Sequence, residues 1–135
     1  MADPKHPNAG RKILIIDDEE LLLRMSARWF EQEGFSVFTV DNGTDGLALA
    51  ERELPDVTLL DVNMPGLHGF EVCRRMRENP ALARSIIIMT SARSYKPDIE
   101  KAKALGANDY LVKPAGADEL LGIVKKYLKP PTSVR

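Results

Sequence analysis

The sequence predicts a doubly wound α/β sandwich, in which a parallel sheet carries helices on both faces. Short apolar runs alternate with segments of helical periodicity along the chain. Three of these runs are apolar at nearly every position, which is typical of parallel strands buried on both faces. Each of the three is followed by a polar residue. Five strands that alternate with five helices through right-handed crossovers place helices on both faces of the sheet.

The three apolar runs are expected to form the middle of the sheet. They cover residues 13–16, 57–60 and 86–89, which are rich in Ile, Leu and Val. Two weaker strands are predicted over residues 35–40 and 110–112, and their composition suits the edges of the sheet.

Helices fill the gaps between the predicted strands. In the first, over residues 20–33, Leu22 and Met25 recur on one face, and Gly34 suits the C-terminal stop. Pro97 suits the first turn of the fourth helix, because its missing N–H needs no partner there. The remaining helices are predicted over residues 44–53, 70–78, 97–105 and 118–128.

Length and composition indicate one domain and exclude several functional classes. The 135 residues carry a net charge of −1, which argues against a broad surface for direct nucleic-acid binding. No apolar run approaches the roughly 20 residues of a membrane span, so no membrane insertion is expected. With the single cysteine Cys73, these features predict a cytoplasmic protein whose folded part lies between flexible tails at residues 1–10 and 130–135.

Polar residues follow the carboxyl ends of four predicted strands. Asp17 and Asp18 follow the first strand, Asp61 the third, Thr90 the fourth and Lys113 the fifth. Ligands of open parallel sheets bind outside these strand ends, so the five side chains are expected to share one site.

The residue types at this edge predict phosphoryl-transfer chemistry. Three neighbouring carboxylates repel one another, and a hard divalent cation with oxygen ligands, Mg²⁺ rather than zinc, relieves that repulsion. Lys113 adds a positive charge and Thr90 a hydroxyl donor. A carboxylate nucleophile in such surroundings fits transfer through an aspartyl phosphate.

Four motifs in order give the chain a specific family resemblance. They read ILIIDDE at 13–19, PDVTLLDVNMPGLHG at 55–69, TSA at 90–92 and GANDYLVKP at 106–114. In order and spacing they resemble the receiver domain of two-component response regulators, over residues 11–129. The resemblance implies a flavodoxin-like fold with strand order 2-1-3-4-5.

The resemblance also implies a role for each acidic residue. Asp61 would be the phosphoacceptor. Asp18 and Asp61 would bind Mg²⁺ through their side chains, Asn63 would bind it through its backbone carbonyl, and Asp17 mainly through water.

Three further residues take roles from the same resemblance. Lys113 would pair with Asp61 and then with the phosphoryl group, to which Thr90 would donate a hydrogen bond. Tyr110 would be the aromatic switch residue, changing rotamer when Thr90 moves.

Taken singly, these residues also have plain structural interpretations. Asp17 and Asp18 could be a solvated pair or a helix cap, Thr90 a helix N-cap, and Tyr110 an aromatic of the edge strand. Their joint spacing favours the site. His68 and Ala115 depart from the family pattern, in which an acidic and an aromatic residue are common.

The implied function is that of a phosphorylated switch and not of an enzyme. The phosphodonor would be a sensor histidine kinase or a histidine phosphotransfer protein. Output to a downstream protein would use the fourth helix, fifth strand and fifth helix. Only residues from 130 onward follow the pattern, so a stand-alone regulator is expected.

Two alternatives stay open. The chain could be a receiver from a larger hybrid kinase or transcription factor. It could also be an Mg²⁺-dependent phosphatase with Asp61 as nucleophile, which is disfavoured because no insertion is available to enclose a substrate.

Overall fold

The computed structural model describes residues 8–128; residues 1–7 of the predicted N-terminal tail (1–10) and the predicted C-terminal tail (130–135) lie outside this part. Among the described residues, none of the helices has the length and apolar character needed to cross a membrane. The elements in chain order are β1 (Lys12–Ile16), α1 (Glu20–Gln32), β2 (Ser36–Val40), α2 (Gly43–Glu53), β3 (Val57–Asp61), α3 (Gly69–Glu78), β4 (Ile86–Ser91), α4 (Lys96–Ala104), β5 (Asp109–Val112) and α5 (Ala117–Tyr127).

The five strands form one parallel sheet in the order β2-β1-β3-β4-β5, which confirms the predicted fold and strand order. The three uniformly apolar strands β1, β3 and β4 lie in the middle. The two weaker ones, β2 and β5, lie at the edges, where a strand needs fewer apolar residues because it is less enclosed.

Side-chain alternation along the central strands divides the core into two clusters, one on each face of the sheet. The α1/α5 face contains Ile13, Ile15, Val57, Leu59, Ile88 and Leu111, packed against Leu23 and Phe30 of α1 and Leu120 and Val124 of α5. The opposite face, which we call the α2–α4 face, contains Leu14, Ile16, Leu60, Ile87 and Met89, packed against Ala50, Val72, Cys73, Met76 and Ala102.

The predicted stop and start signals of the helices lie where they were expected. Gly34 follows α1 with φ +94°, a left-handed conformation that glycine adopts without strain. Pro97 is in the first turn of α4, which begins one residue before the predicted start. A short 3₁₀ turn, Pro80–Leu82, was not predicted; Pro80 lies in its first turn and the Asn79 side chain accepts a hydrogen bond from the Ala81 N–H.

Asn8 packs against the folded domain, although it lies within the flexible tail predicted over residues 1–10. Asn8 is only 8% exposed, and its side-chain Nδ2 donates to the Glu33 carbonyl at 3.0 Å. Arg11 donates to the Leu128 carbonyl at 3.1 Å. These contacts join positions far apart in sequence, so local composition gives no sign of them.

One buried hydroxyl on β3 gives a stability prediction. Thr58 is fully buried, and its Oγ1 has no hydrogen-bond partner among the described residues. We expect Thr58→Val, which keeps the shape and removes the hydroxyl, to raise the free energy of unfolding by about 1 kcal/mol, since an unpaired buried hydroxyl is destabilising. Urea denaturation of the two proteins checks this, and a less stable valine variant would contradict it.

Candidate functional site

The strand alternation itself brings four of the predicted site residues together. Asp17, Asp61, Thr90 and Lys113 each lie two residues beyond an apolar side chain of the α1/α5 face. They continue that face past the carboxyl edge of the sheet. Asp61 and Thr90 are direct neighbours across β3 and β4. The predicted convergence is therefore a consequence of strand register.

Three carboxylates form a cluster at this edge. One oxygen from each of Asp17, Asp18 and Asp61 lies within 4.8 Å of the others. Asp17 and Asp61 are 3% and 4% exposed, while Asp18 is exposed to solvent. Burial and the neighbouring charge of Asp17 raise the pKa of Asp61 to about 7, although the Lys113 charge acts in the opposite direction. Two of the three carboxylates thus lie where little water is available to solvate a negative charge.

Lys113 is the cation that faces this cluster. Its Nζ lies 2.8 Å from Asp17 Oδ2, 3.5 Å from Asp61 Oδ2 and 3.2 Å from Glu19 Oε1. Burial acts to lower the pKa of Lys113, but the hydrogen bond and charge of Asp17 and the charge of Asp61 outweigh it, and the pKa is raised. The lysine therefore stays protonated beside Asp17 and Asp61.

The donor set fits a hard divalent cation. Both oxygens of Asp17 have partners, because Oδ1 accepts from the Glu19 N–H at 2.9 Å and Oδ2 faces Lys113. Asp61 also has a partner at each oxygen, the Asn63 N–H at 3.3 Å and Lys113 Nζ at 3.5 Å, whereas Asp18 is exposed to solvent. The backbone carbonyl of Asn63 is the further oxygen that the family resemblance adds to this set. An all-oxygen set of this kind suits a cation that retains several waters.

Gly69 at the start of α3 lies against the backbone of Asp61 and Val62. Its N–H donates to the Val62 carbonyl at 3.1 Å. A Cβ at this position would approach the Val62 Cα to 2.8 Å and the Asp61 carbonyl oxygen still more closely. The first turn of α3 therefore fits against the Asp61 backbone only without a side chain at position 69.

His68, which departs from the family pattern, acts as the N-cap of α3. Its Nδ1 accepts from the Phe70 N–H at 3.5 Å, and the two rings stack with centroids 5.5 Å apart. This exposed residue has a local structural role.

Tyr110 packs against the α2–α4 face, the side of the sheet away from Thr90. Its hydroxyl donates to the Arg93 carbonyl at 2.9 Å, in the loop between β4 and α4. The predicted change of rotamer stays a prediction.

Two residues near the site had no predicted role. Glu19 contacts Lys113 as described, and Ser91 is fully buried with two hydrogen bonds to its Oγ, from Asn63 Nδ2 at 3.2 Å and the Arg93 N–H at 3.0 Å. Glu19 directly follows Asp18 and Ser91 directly follows Thr90 in two of the four motifs. This adjacency is the sequence feature that could have indicated their place near the site.

A mostly apolar cavity of about 350 Å³ opens beside the acidic cluster, between α1 and α5. Trp29 and Met25 of α1 line it, together with Ala115. The cavity also reaches Asp17 and Lys113, so the single tryptophan lies beside the site.

Comparison with known proteins gives a consistent set of similarities. The sequence profile of the response regulator receiver domain matches residues 13–125. The phosphate regulon transcriptional regulatory protein PhoB of Rhizobium meliloti is 39% identical over 118 residues, which are 87% of this chain and 52% of PhoB. The chain thus spans about half the length of that relative. Protein PilH of Pseudomonas aeruginosa is 35% identical over 87% of this chain and 97% of its own length.

A solved structure is similar over nearly its whole length. It is the receiver domain of the sensor histidine kinase PA1611 from Pseudomonas aeruginosa, described with a magnesium ion coordinated in its active-site cleft. It superposes with a TM-score of 0.81 at 30% identity and covers 89% of this chain and 98% of its own.

Proposed function

Because the chain belongs to the response regulator receiver family of two-component signalling, we propose that Asp61 accepts a phosphoryl group from the phosphohistidine of a sensor histidine kinase or phosphotransfer protein. One observation carries the assignment. Asp61 is a buried carboxylate with Lys113 Nζ 3.5 Å away and the oxygens of Asp17 and Asp18 within 4.8 Å. A donor of this class would meet the chain in the cytoplasm.

The proposed transfer needs positioning and charge stabilisation more than acid–base chemistry. An Asp61 oxygen attacks the phosphorus, the P–O bond forms as the donor's P–N bond breaks, and the electron pair leaves with the donor imidazole. Lys113 neutralises charge on the transferred oxygens, and the Thr90 hydroxyl donates to one of them.

Mg²⁺ is the proposed cation, with Asp18 and Asp61 as direct ligands, the Asn63 carbonyl as a third and Asp17 through water. The magnesium described in the PA1611 receiver domain supports this choice. When bound, Mg²⁺ neutralises the phosphoryl oxygens and screens the repulsion between the acceptor and the incoming group.

The phosphorylated domain would act by changing a protein-binding surface. A phosphoryl group adds about −1.5 to −2 charge and three acceptor oxygens, which Thr90 and Lys113 would bind. We propose that the resulting movement biases Tyr110 and the surface of α4, β5 and α5, and that a downstream protein reads it. The same switching mechanism would operate in a stand-alone regulator or in a receiver domain of a longer protein.

Incubation with acetyl phosphate and Mg²⁺, followed by intact mass spectrometry, tests the proposal. We expect one phosphate-sized gain per chain, lost in Asp61→Ala and when Mg²⁺ is chelated, because the acceptor oxygen and the cation are both required. Asp45→Ala, an exposed carboxylate in the first turn of α2, is the matched control and should retain the gain.

Two results would contradict the proposal. A folded wild-type protein that gains no mass would reject Asp61 as an acceptor. Continuous phosphate release from small phosphate esters without a stoichiometric adduct would favour the phosphatase alternative instead.

A further inference from the structure

The loops that follow β3 and β4 are joined at a single buried atom. Ser91 Oγ accepts hydrogen bonds from Asn63 Nδ2 at 3.2 Å and from the Arg93 N–H at 3.0 Å. Ser91 is completely buried, whereas Asn63 and Arg93 are exposed. A hydroxyl oxygen has two lone pairs, and here both have donors.

These bonds belong to a longer series that begins at the acceptor. The Asn63 N–H donates to Asp61 Oδ1 at 3.3 Å, and at the other end the Tyr110 hydroxyl donates to the Arg93 carbonyl at 2.9 Å. Asp61 and Tyr110 are thus linked through Asn63, Ser91 and Arg93.

The direction of each side chain shows why this series matters. Ser91 follows Thr90 in β4, so its side chain points to the other face of the sheet. Thr90 lines the cavity beside α1 and α5, while Tyr110 packs against the α2–α4 face. Ser91 and Tyr110 therefore share a face that Thr90 does not.

We propose that Ser91 is a positioning residue that couples the cation and phosphoryl site to Tyr110. Its hydroxyl fixes Asn63, whose backbone carbonyl is the proposed Mg²⁺ ligand, and makes the Arg93 loop follow any movement of Asn63. The proposal rests on the proposed function of Asp61. It adds a route from the acceptor to the switch residue that does not pass through Thr90.

A double-mutant cycle on Mg²⁺ affinity tests the positioning role. We expect Ser91→Ala and Asn63→Ala each to weaken Mg²⁺ binding by about three- to tenfold, the scale of one lost hydrogen bond. The double variant should bind Mg²⁺ no more weakly than the single variant with the lower affinity, because both changes remove the same hydrogen bond. Fold-changes that multiply would overturn the proposal. Asn63→Ala truncates an exposed side chain and so also covers the case in which Ser91→Ala fails to fold.

Thr58→Val is the matched control, since it removes a buried hydroxyl of β3 that has no partner among the described residues. Its Mg²⁺ affinity should equal that of the wild type. A similar weakening in this variant would mean that loss of any buried hydroxyl perturbs the site, and would reject the specific role of Ser91.

The coupling role needs a readout at the other end of the series. In NMR titrations with Mg²⁺, we expect the Arg93 amide and the Tyr110 ring resonances to shift in the wild-type protein. In Ser91→Ala at saturating Mg²⁺ these shifts should fall by more than half, while the shift of the Asp18 amide stays. Equal shifts in both proteins would reject the coupling.

The proposed function and the role of Ser91 can be rejected independently of each other. If acetyl phosphate does not modify Asp61 in the wild type, the proposed function fails. If Asp61 is modified and the Ser91→Ala protein matches the wild type in Mg²⁺ affinity and NMR shifts, only the role of Ser91 fails.

Discussion

The Gly69→Ala variant is expected to lose about 1–3 kcal/mol of folding free energy, the usual cost of overpacking. The added methyl group would lie 2.8 Å from the Val62 Cα and closer still to the Asp61 carbonyl oxygen. Both neighbours are backbone atoms, so no side-chain rotation can relieve the contact. Either the first turn of α3 or the segment that carries Asp61 must move.

We expect this displacement to affect the phosphorylation of Asp61 as well. Because Asp61 is the proposed acceptor, we expect phosphorylation by acetyl phosphate to slow by about tenfold or more, as misplaced reacting groups do. Urea denaturation and the rate of mass gain measure the two effects. Unchanged stability would show that α3 tolerates a side chain at its start, contrary to the geometry.

Gly122→Ala is the control, and its effect on folding stability is expected to have the opposite sign. Gly122 lies within α5, and a Cβ there meets no heavy atom within 4 Å. Alanine in a helix interior is more stable than glycine by about 0.5–1 kcal/mol, so this variant should be stabilised. The same chemical change is thus expected to act in opposite directions at two glycines.

The fold could be predicted from sequence because its strongest signals are local. The three central strands are apolar on both faces, and burial on both faces is what places β1, β3 and β4 in the middle of the sheet. Asn8 shows the limit of such signals. A polar residue beside a proline resembles a tail, whereas its hydrogen bond to Glu33, 25 residues away, ties it to the domain.

The site, like the fold, has one feature that local sequence patterns predict and one that they do not. Strand alternation determines that Asp17, Asp61 and Lys113 share an edge, so their proximity follows from register. The choice of ion-pair partner for Lys113 does not follow from register. The resemblance joins Lys113 to Asp61, yet its Nζ lies closer to Asp17, at 2.8 Å against 3.5 Å. Distances of this kind depend on how the β5–α5 loop packs, which no local pattern encodes.

Removing the charge of Lys113 is expected to change phosphorylation and cation binding in opposite directions. Its side chain is 13% exposed and contacts Asp17, Glu19 and Asp61. Lys113→Met keeps most of the side-chain length and removes the ammonium group. We expect phosphorylation of Asp61 to slow by about 100-fold, the scale for losing one group that stabilises transferred charge. The rate of mass gain with acetyl phosphate measures it.

Mg²⁺ should bind the same variant more tightly, by about three- to tenfold, because one positive charge near the cation is gone. Fluorescence of Trp29, which lines the same cavity as Asp17 and Lys113, gives the affinity. Lys103→Met, an exposed lysine in the last turn of α4, makes the same change in net charge and should alter neither quantity.

The opposite signs separate two roles for this lysine. If Lys113 acts on the transferred phosphoryl group, its loss slows transfer although the cation is held more firmly. If Lys113 mainly keeps Asp17 and Asp61 in position, its loss weakens Mg²⁺ binding and transfer together, since the two buried carboxylates then have no cation to hold them. A joint loss would therefore reject a direct role in transfer and leave Lys113 as a support for the acidic cluster.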